Sequence, residues 1–218
     1  MLDIKEAMTY PLKDENWIVK VLIGTLLGII PIVNFFSMGY AYQLFKKAVN
    51  KEALTLPEWD NWGDLFLKGF MIFLISVVYL IIPGIILAIG AGLTSSAAIK
   101  SSQGYSAIGQ GVVGGLFIFV GGVLYFIVAL ILPMVLAHYA KNNDDFGSIF
   151  KFGEIIGNIF KVIGDYILAL VVIVGVVIVL GIVGVIPILG MIILIAISFY
   201  LWLFIYALLG MACSGAYV

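Results

Sequence analysis

Apolar residues run in four long blocks, at 17–49, 65–93, 108–137 and 167–212, and the polar positions are crowded into the segments between them. Most of these blocks are apolar on every side, with neither the alternation of a half-buried strand nor the single stripe of a water-facing helix. That pattern predicts helices surrounded by lipid or by other helices. Residues 167–212 are uncharged throughout, and a span needs only about 20 residues, so this block predicts two helices. The break falls at IPILG, residues 186–190, where Pro187 removes a backbone donor and Gly190 permits a tight reversal. The first block holds a near copy, IPIVN at 30–34, with Pro31 in the same place, and it reads as a second hairpin with short arms. The expected fold is all-α: a polytopic membrane helical bundle of about six transmembrane helices, at 15–31, 33–49, 65–92, 108–138, 164–186 and 190–212.

The lysines orient this bundle, because short loops rich in positive charge stay on the cytoplasmic side. With a hairpin in the first block, Lys100 alone of the eleven lysines lies on the outer face, and all twelve acids share the inner face with the rest. A single helix there would split the lysines between the faces, and a further hairpin at Pro83–Gly84 would turn the last linker outward. Both termini are therefore expected inside.

Composition agrees with the pattern. The chain is 64% hydrophobic and 11% charged, with a mean hydropathy of +1.23, against about a quarter charged in soluble domains. A net charge of −1 and the lack of any arginine exclude a nucleic-acid partner, since phosphate reading leans on bidentate arginine forks. Cys213 is the single cysteine and reads as a small apolar helix residue. No cofactor is expected. The N-terminal segment, MLDIKEAMTYPLKDENW, carries four acids and lacks the basic, apolar and small-residue order of a cleaved signal peptide. A multi-pass cell-membrane protein that keeps its first hydrophobic segment is expected.

Two charged linkers carry the remaining chemistry, and they resemble each other. DNWGDLFLKG at 60–69 aligns without gaps to DDFGSIFKFG at 144–153, matching Asp60 to Asp144, Trp62 to Phe146, Gly63 to Gly147, Phe66 to Phe150 and Gly69 to Gly153. In the first linker, Thr55 followed by Glu58 is a capping-box spacing, with Pro57 in the first turn. A helix over 56–68 would place Trp59, Trp62, Phe66 and Phe70 on one face and Asp60, Asp64 and Lys68 on the other. The second linker, 144–161, repeats the plan with Phe146, Ile149 and Phe150. Both are expected as inner-face amphipathic helices lying in the headgroup layer, with Trp59, Asp60, Trp62, Asp64, Phe66, Phe146 and Phe150 as candidate contacts to lipid or a partner. A cation site on Asp60 and Asp64 lacks further oxygen ligands.

LPEWDNWGDLF in the first linker, PMVLAHYA at 133–140 followed by DDFGSIF, GDYILA at 164–169 and the closing FYLWLFIYALLG at 199–210 together resemble the mostly archaeal "domain of unknown function 4013" family. The resemblance covers nearly the whole chain. It implies a polytopic membrane protein and brings no catalytic residues with it.

Ionisable groups at mid-membrane depth mark pumps and intramembrane enzymes, and none is expected here. Lys20, Lys68, Lys161 and Asp165 fall near predicted helix ends, where the lysines can snorkel. His138 lies at the inner end of the fourth span without an obvious carboxylate partner in the sequence. Gly84, Ala88 and Gly92 form one small-residue ridge, and Gly111, Gly115 and Gly122 another, both expected to let helices pack closely within the bundle or in a homo-oligomer. Prolines 83 and 133 are read as kinks. With no triad, metal cluster or paired acids at depth, an enzyme ranks behind two readings. One is a non-catalytic scaffold, assembly or lipid-associated factor working through the linkers, with membrane lipids and a protein as partners. The other is a small facilitated transporter or channel for an uncharged solute.

Overall fold

The computed structural model describes residues 2–186 and 188–217. Eight α-helices follow in order among the described residues: α1 Ile4–Thr9, α2 Trp17–Ile29, α3 Asn34–Val49, α4 Trp62–Ser102, α5 Ile108–Lys141, α6 Phe152–Lys161, α7 Ile163–Gly184 and α8 Leu189–Ser214. The described residues contain no strand. Among the described residues four helices, α4, α5, α7 and α8, are long and apolar enough to cross a membrane. The first block does fold as a hairpin, but α2 and α3 have only 13 and 16 residues. At 1.5 Å per residue they rise about 20 and 24 Å, short of the roughly 30 Å hydrocarbon layer. α3 nearly fills the span expected at 33–49, whereas α2 starts later and ends earlier than the one expected at 15–31. Pro83 and Pro133 lie inside α4 and α5, which run on past them, so neither proline breaks its helix.

Both hairpin turns close alike. The Asn34 amide donates to the Ile30 carbonyl and the Gly190 amide to the Ile186 carbonyl, each at 2.9 Å. Ile32 and Ile188 have φ of 71° and 61°, a left-handed conformation that a β-branched side chain seldom adopts. Pro187, the predicted breaker of the second turn, lies outside the described residues.

The chain forms two compact units. One comprises the residues up to Phe73 and those from Pro133 onward, and α3 is its axis. Tyr40, Ala41, Tyr42, Leu44, Phe45 and Val49 are all buried. α3 runs parallel to α8, with Tyr40 beside Phe199, Phe45 beside Tyr206, and Ala48 against Gly210. Against the start of α4 it comes close enough for backbones to touch. An ideal Cβ on Gly39 would lie 1.9 Å from the Leu65 carbonyl oxygen, and one on Gly69 would lie 1.8 Å from that of Phe35. Only glycine fits either place.

The other unit, Leu74–Leu132, is the hairpin of the later part of α4 and the earlier part of α5. Its close approach rests on Gly90, Gly114 and Gly121. A Cβ on any of them would meet a backbone nitrogen of the facing helix at 2.8–3.0 Å. The expected packing residues stand elsewhere. Gly84, Gly92, Gly115 and Gly122 have nothing within 4 Å of an added Cβ, and Gly111 makes only ordinary contact with Ala97. Consecutive helix positions differ by about 100°, so moving from Gly114 to Gly115 turns away from the partner. Near the loop, Lys100 donates to Gln110, whose amide reaches Ser96.

Candidate functional site

The first linker departs from its expected form. No helix starts at Thr55: residues 52–61 are non-helical and α4 begins at Trp62. The capping box fails because its parts are engaged elsewhere. Thr55 receives a hydrogen bond from Lys47 at 3.0 Å, and Glu58 is drawn 2.5 Å from Lys20 Nζ. The Pro57 carbonyl accepts from Tyr40 Oη at 2.8 Å. The helix starts instead where Asn61 Oδ1 accepts from the Asp64 amide, a first-turn cap at a long 3.4 Å.

Trp59 thus leaves the predicted helical face and becomes the plug of a ring stack. It lies 4.2 Å from Tyr40 at 20° and 5.7 Å from Trp62 at 29°, while its indole N–H donates to the Lys20 carbonyl at 3.1 Å. Phe66 and Trp62 pack edge-on or tilted against Phe35 and Phe36. Of the acids, Asp64 is committed to Lys68 at 2.6 Å and to Gln43 at 3.1 Å, whereas Asp60 caps only the next amide. They are not held together as a pair. Among the described residues no three His, Cys, Asp or Glu side chains converge into a metal-binding group.

Lys20 is the clearest correction. It does not snorkel: it is buried and clamped between Asp14 at 2.7 Å and Glu58 at 2.5 Å. The hydrogen bond from Lys20 holds the Asp14 carboxyl below the usual carboxylate range. The clamp ties the segment before α2 to the loop that carries Trp59. Neither acid is assigned to Lys20 by sequence spacing. The only available signal was a lone lysine one turn inside an apolar run.

The second linker is not one helix. A 3-10 turn at Phe146–Phe150, capped by Asp145, is followed by α6 after a break at Lys151. Phe146 and Phe150 touch at 6.0 Å, with Phe150 exposed. Asp144, the counterpart of Asp60, does far more than its match. At φ 59° it accepts from Tyr42 Oη and pairs with Lys46 at 2.6 Å, fastening the linker to α3. α6 buries Ile155 and Asn158 and exposes Phe152, Ile156 and Phe160. His138 meets a carboxylate after all. Glu154 lies 3.4 Å from its Nε2, close enough to pair with a protonated ring but not aligned as a hydrogen bond, and Tyr217 Oη lies 3.3 Å from Nδ1.

These features define an all-helical, multi-pass membrane protein whose polar network gathers at the charged ends of its helices. The chain belongs to the family described as protein of unknown function DUF4013, whose model matches residues 22–189. It is 28% identical over 171 residues to an uncharacterized protein of Methanocaldococcus jannaschii, covering 75% of this chain and 54% of the relative. The chain thus spans about half the length of that relative. No solved structure matches it.

Proposed function

We propose that this chain is a non-catalytic membrane scaffold or lipid-associated assembly factor, working at the face where its lysines and acids lie, with both termini on that face. The observation that supports the reading is α6. It is fastened through Ile155 and Asn158, it leads directly into α7, and it presents Phe152, Ile156 and Phe160 outward. Such a helix belongs in the headgroup layer or against a partner's apolar surface. The linker that leads to α6 is fastened to α3 through Asp144. Native mass spectrometry of the full chain released from nanodiscs tests it. A retained lipid or protein companion is expected for the wild type, and its loss is expected in Ile156→Ser with Phe160→Ser at unchanged melting temperature. A wild type that retains nothing, or saturable uptake of glycerol or urea into proteoliposomes, overturns it.

One feature favours the facilitated-transport alternative. A cleft of about 240 Å³ between α2 and α8 is lined by Gly24, Thr25, Gly28, Ser198 and Trp202, and the Thr25 hydroxyl is buried without a hydrogen bond among the described residues. The uptake assay decides between the two.

A further inference from the structure

Helix α2 carries its polarity inside out. Ile18, Val19, Leu22, Leu26 and Ile29 are exposed, while Lys20, Val21, Gly24 and Thr25 are buried. A helix facing water shows the reverse arrangement. The exposed stripe therefore needs an apolar partner along the whole helix.

Its course over α8 says which. The first half of α2, through Trp17 and Val21, shares a groove with Ala196, Ile197 and Tyr200. The second half, through Thr25 and Gly28, shares a cleft with Ser198 and Trp202. At about 100° per residue, Ala196 and Tyr200 lie to one side of Phe199 and Ser198 and Trp202 to the other. Phe199 itself sits beneath Gly24, where an ideal Cβ would fall 2.1 Å from the ring. α2 thus passes over Phe199 from one flank of α8 to the other. Between its two halves it advances about 12 Å, while its place on α8 shifts by only about 3 Å. That is a steep crossing, and a helix nearly at right angles to a span cannot itself cross the bilayer in about 20 Å. The crossing also falls where α8 changes character, from exposed Ile192, Ile193 and Ile195 to buried Phe199, Leu203 and Phe204.

We infer that α2 is an in-plane helix that lies within the membrane rather than across it, with the acyl chains of bilayer lipids covering Ile18, Leu22, Leu26 and Ile29. Lys20 points away from those chains, into the chain's own acids. The exposed apolar stripe continues the exposed apolar surface of α8, so lipid that meets one meets the other. The inference rests on α7 and α8 crossing the membrane and stands apart from the scaffold reading.

Site-directed spin labelling of the full chain in liposomes tests it, with the native thiol removed as Cys213→Ala. Labels at Ile18→Cys, Leu22→Cys, Leu26→Cys and Ile29→Cys are measured for depth by oxygen and nickel-chelate accessibility. Ile167→Cys and Ile178→Cys, separated along α7 as Ile18 and Ile29 are along α2, serve as the ruler. The expected depth difference between Ile18 and Ile29 is under half of that ruler, with all four α2 labels shielded from the nickel chelate. A difference of half the ruler or more, or chelate access at all four sites, overturns the inference.

Discussion

Removing the charges around Lys20 one side at a time should give unequal results. The lysine side chain is 7% exposed, against 22% for Asp14 and 67% for Glu58. The desolvation burden therefore sits on the lysine. Replacing it as Lys20→Met leaves Glu58 free to rehydrate and Asp14 partly so, while the apolar stem keeps its packing. The loss is expected to be about 1 kcal/mol, the net worth of a hydrogen-bonded pair. Neutralising both acids, as Asp14→Asn with Glu58→Gln, strands an ammonium in a site nearly closed to water. Breaking a buried pair in that way costs about 3–5 kcal/mol. Reversible unfolding in mixed micelles, followed by tryptophan fluorescence, reads both variants, because Trp59 is bonded to the Lys20 carbonyl. The pH dependence carries a matching signature. Asp14 has a folded-state pKa below its usual value, so its contribution is complete above the unfolded carboxylate pKa of about 3.9 and fades as pH falls through the folded value. The loss that Asp14 contributes should set in only as pH falls below about 4, and Asp14→Asn should fall less steeply than wild type there. If Lys20→Met costs as much as the double acid variant, the burial argument is wrong.

Further substitutions probe the packing. Gly39→Ala and Gly69→Ala place a methyl into a facing carbonyl and should each cost at least about 1–3 kcal/mol, whereas Gly84→Ala, with open space around it, should be neutral or gain up to about 1 kcal/mol of helix propensity; thermal melts in detergent separate them. By the same contrast Gly114→Ala should lower the melting temperature and Gly115→Ala should not, and a loss at Gly115 would reveal a second copy packed on that ridge. Tyr42→Phe removes the hydrogen bond to Asp144 and should cost about 1 kcal/mol with unchanged helix content by circular dichroism. Trp59→Ala should cost about 3–5 kcal/mol, visible as early aggregation on heating, while Trp62→Ala, at 42% exposure, should cost less than half as much.

Hydropathy was enough to find α4, α5, α7 and α8, since a bilayer demands long apolar runs and little else. It also located both hairpin turns, through Pro31 and Pro187. It does not distinguish α2 lying along the membrane from α2 standing across it, because apolar residues look alike in both cases; the passage of α2 over Phe199 bears on this, and that is a tertiary fact. The Thr55 capping box failed for a related reason: local spacing offers Glu58 to its own backbone, while the fold brings Lys20, which outbids it through charge. The glycine ridges were displaced by a single residue, from Gly115 and Gly122 to Gly114 and Gly121. Small residues are visible in a sequence, but the direction each one faces is not. The alignment of Asp60 with Asp144 caught a shared local pattern, yet Asp144 binds Tyr42 and Lys46 while Asp60 binds only its neighbour's amide.

Left-handed isoleucines close both hairpins, at Ile32 and Ile188, both largely exposed. Backbone conformation favours glycine or asparagine at such positions, whereas a hydrocarbon surrounding favours a branched alkyl group. The two preferences select opposite residues at the same site. Saturation mutagenesis at position 32 should therefore yield winners that depend on the medium: glycine and asparagine when variants are ranked by melting in micelles, isoleucine, valine and leucine when they are ranked by retention in vesicles. A protein improved only in detergent would drift, at these two tips, away from the sequence that suits it to a bilayer.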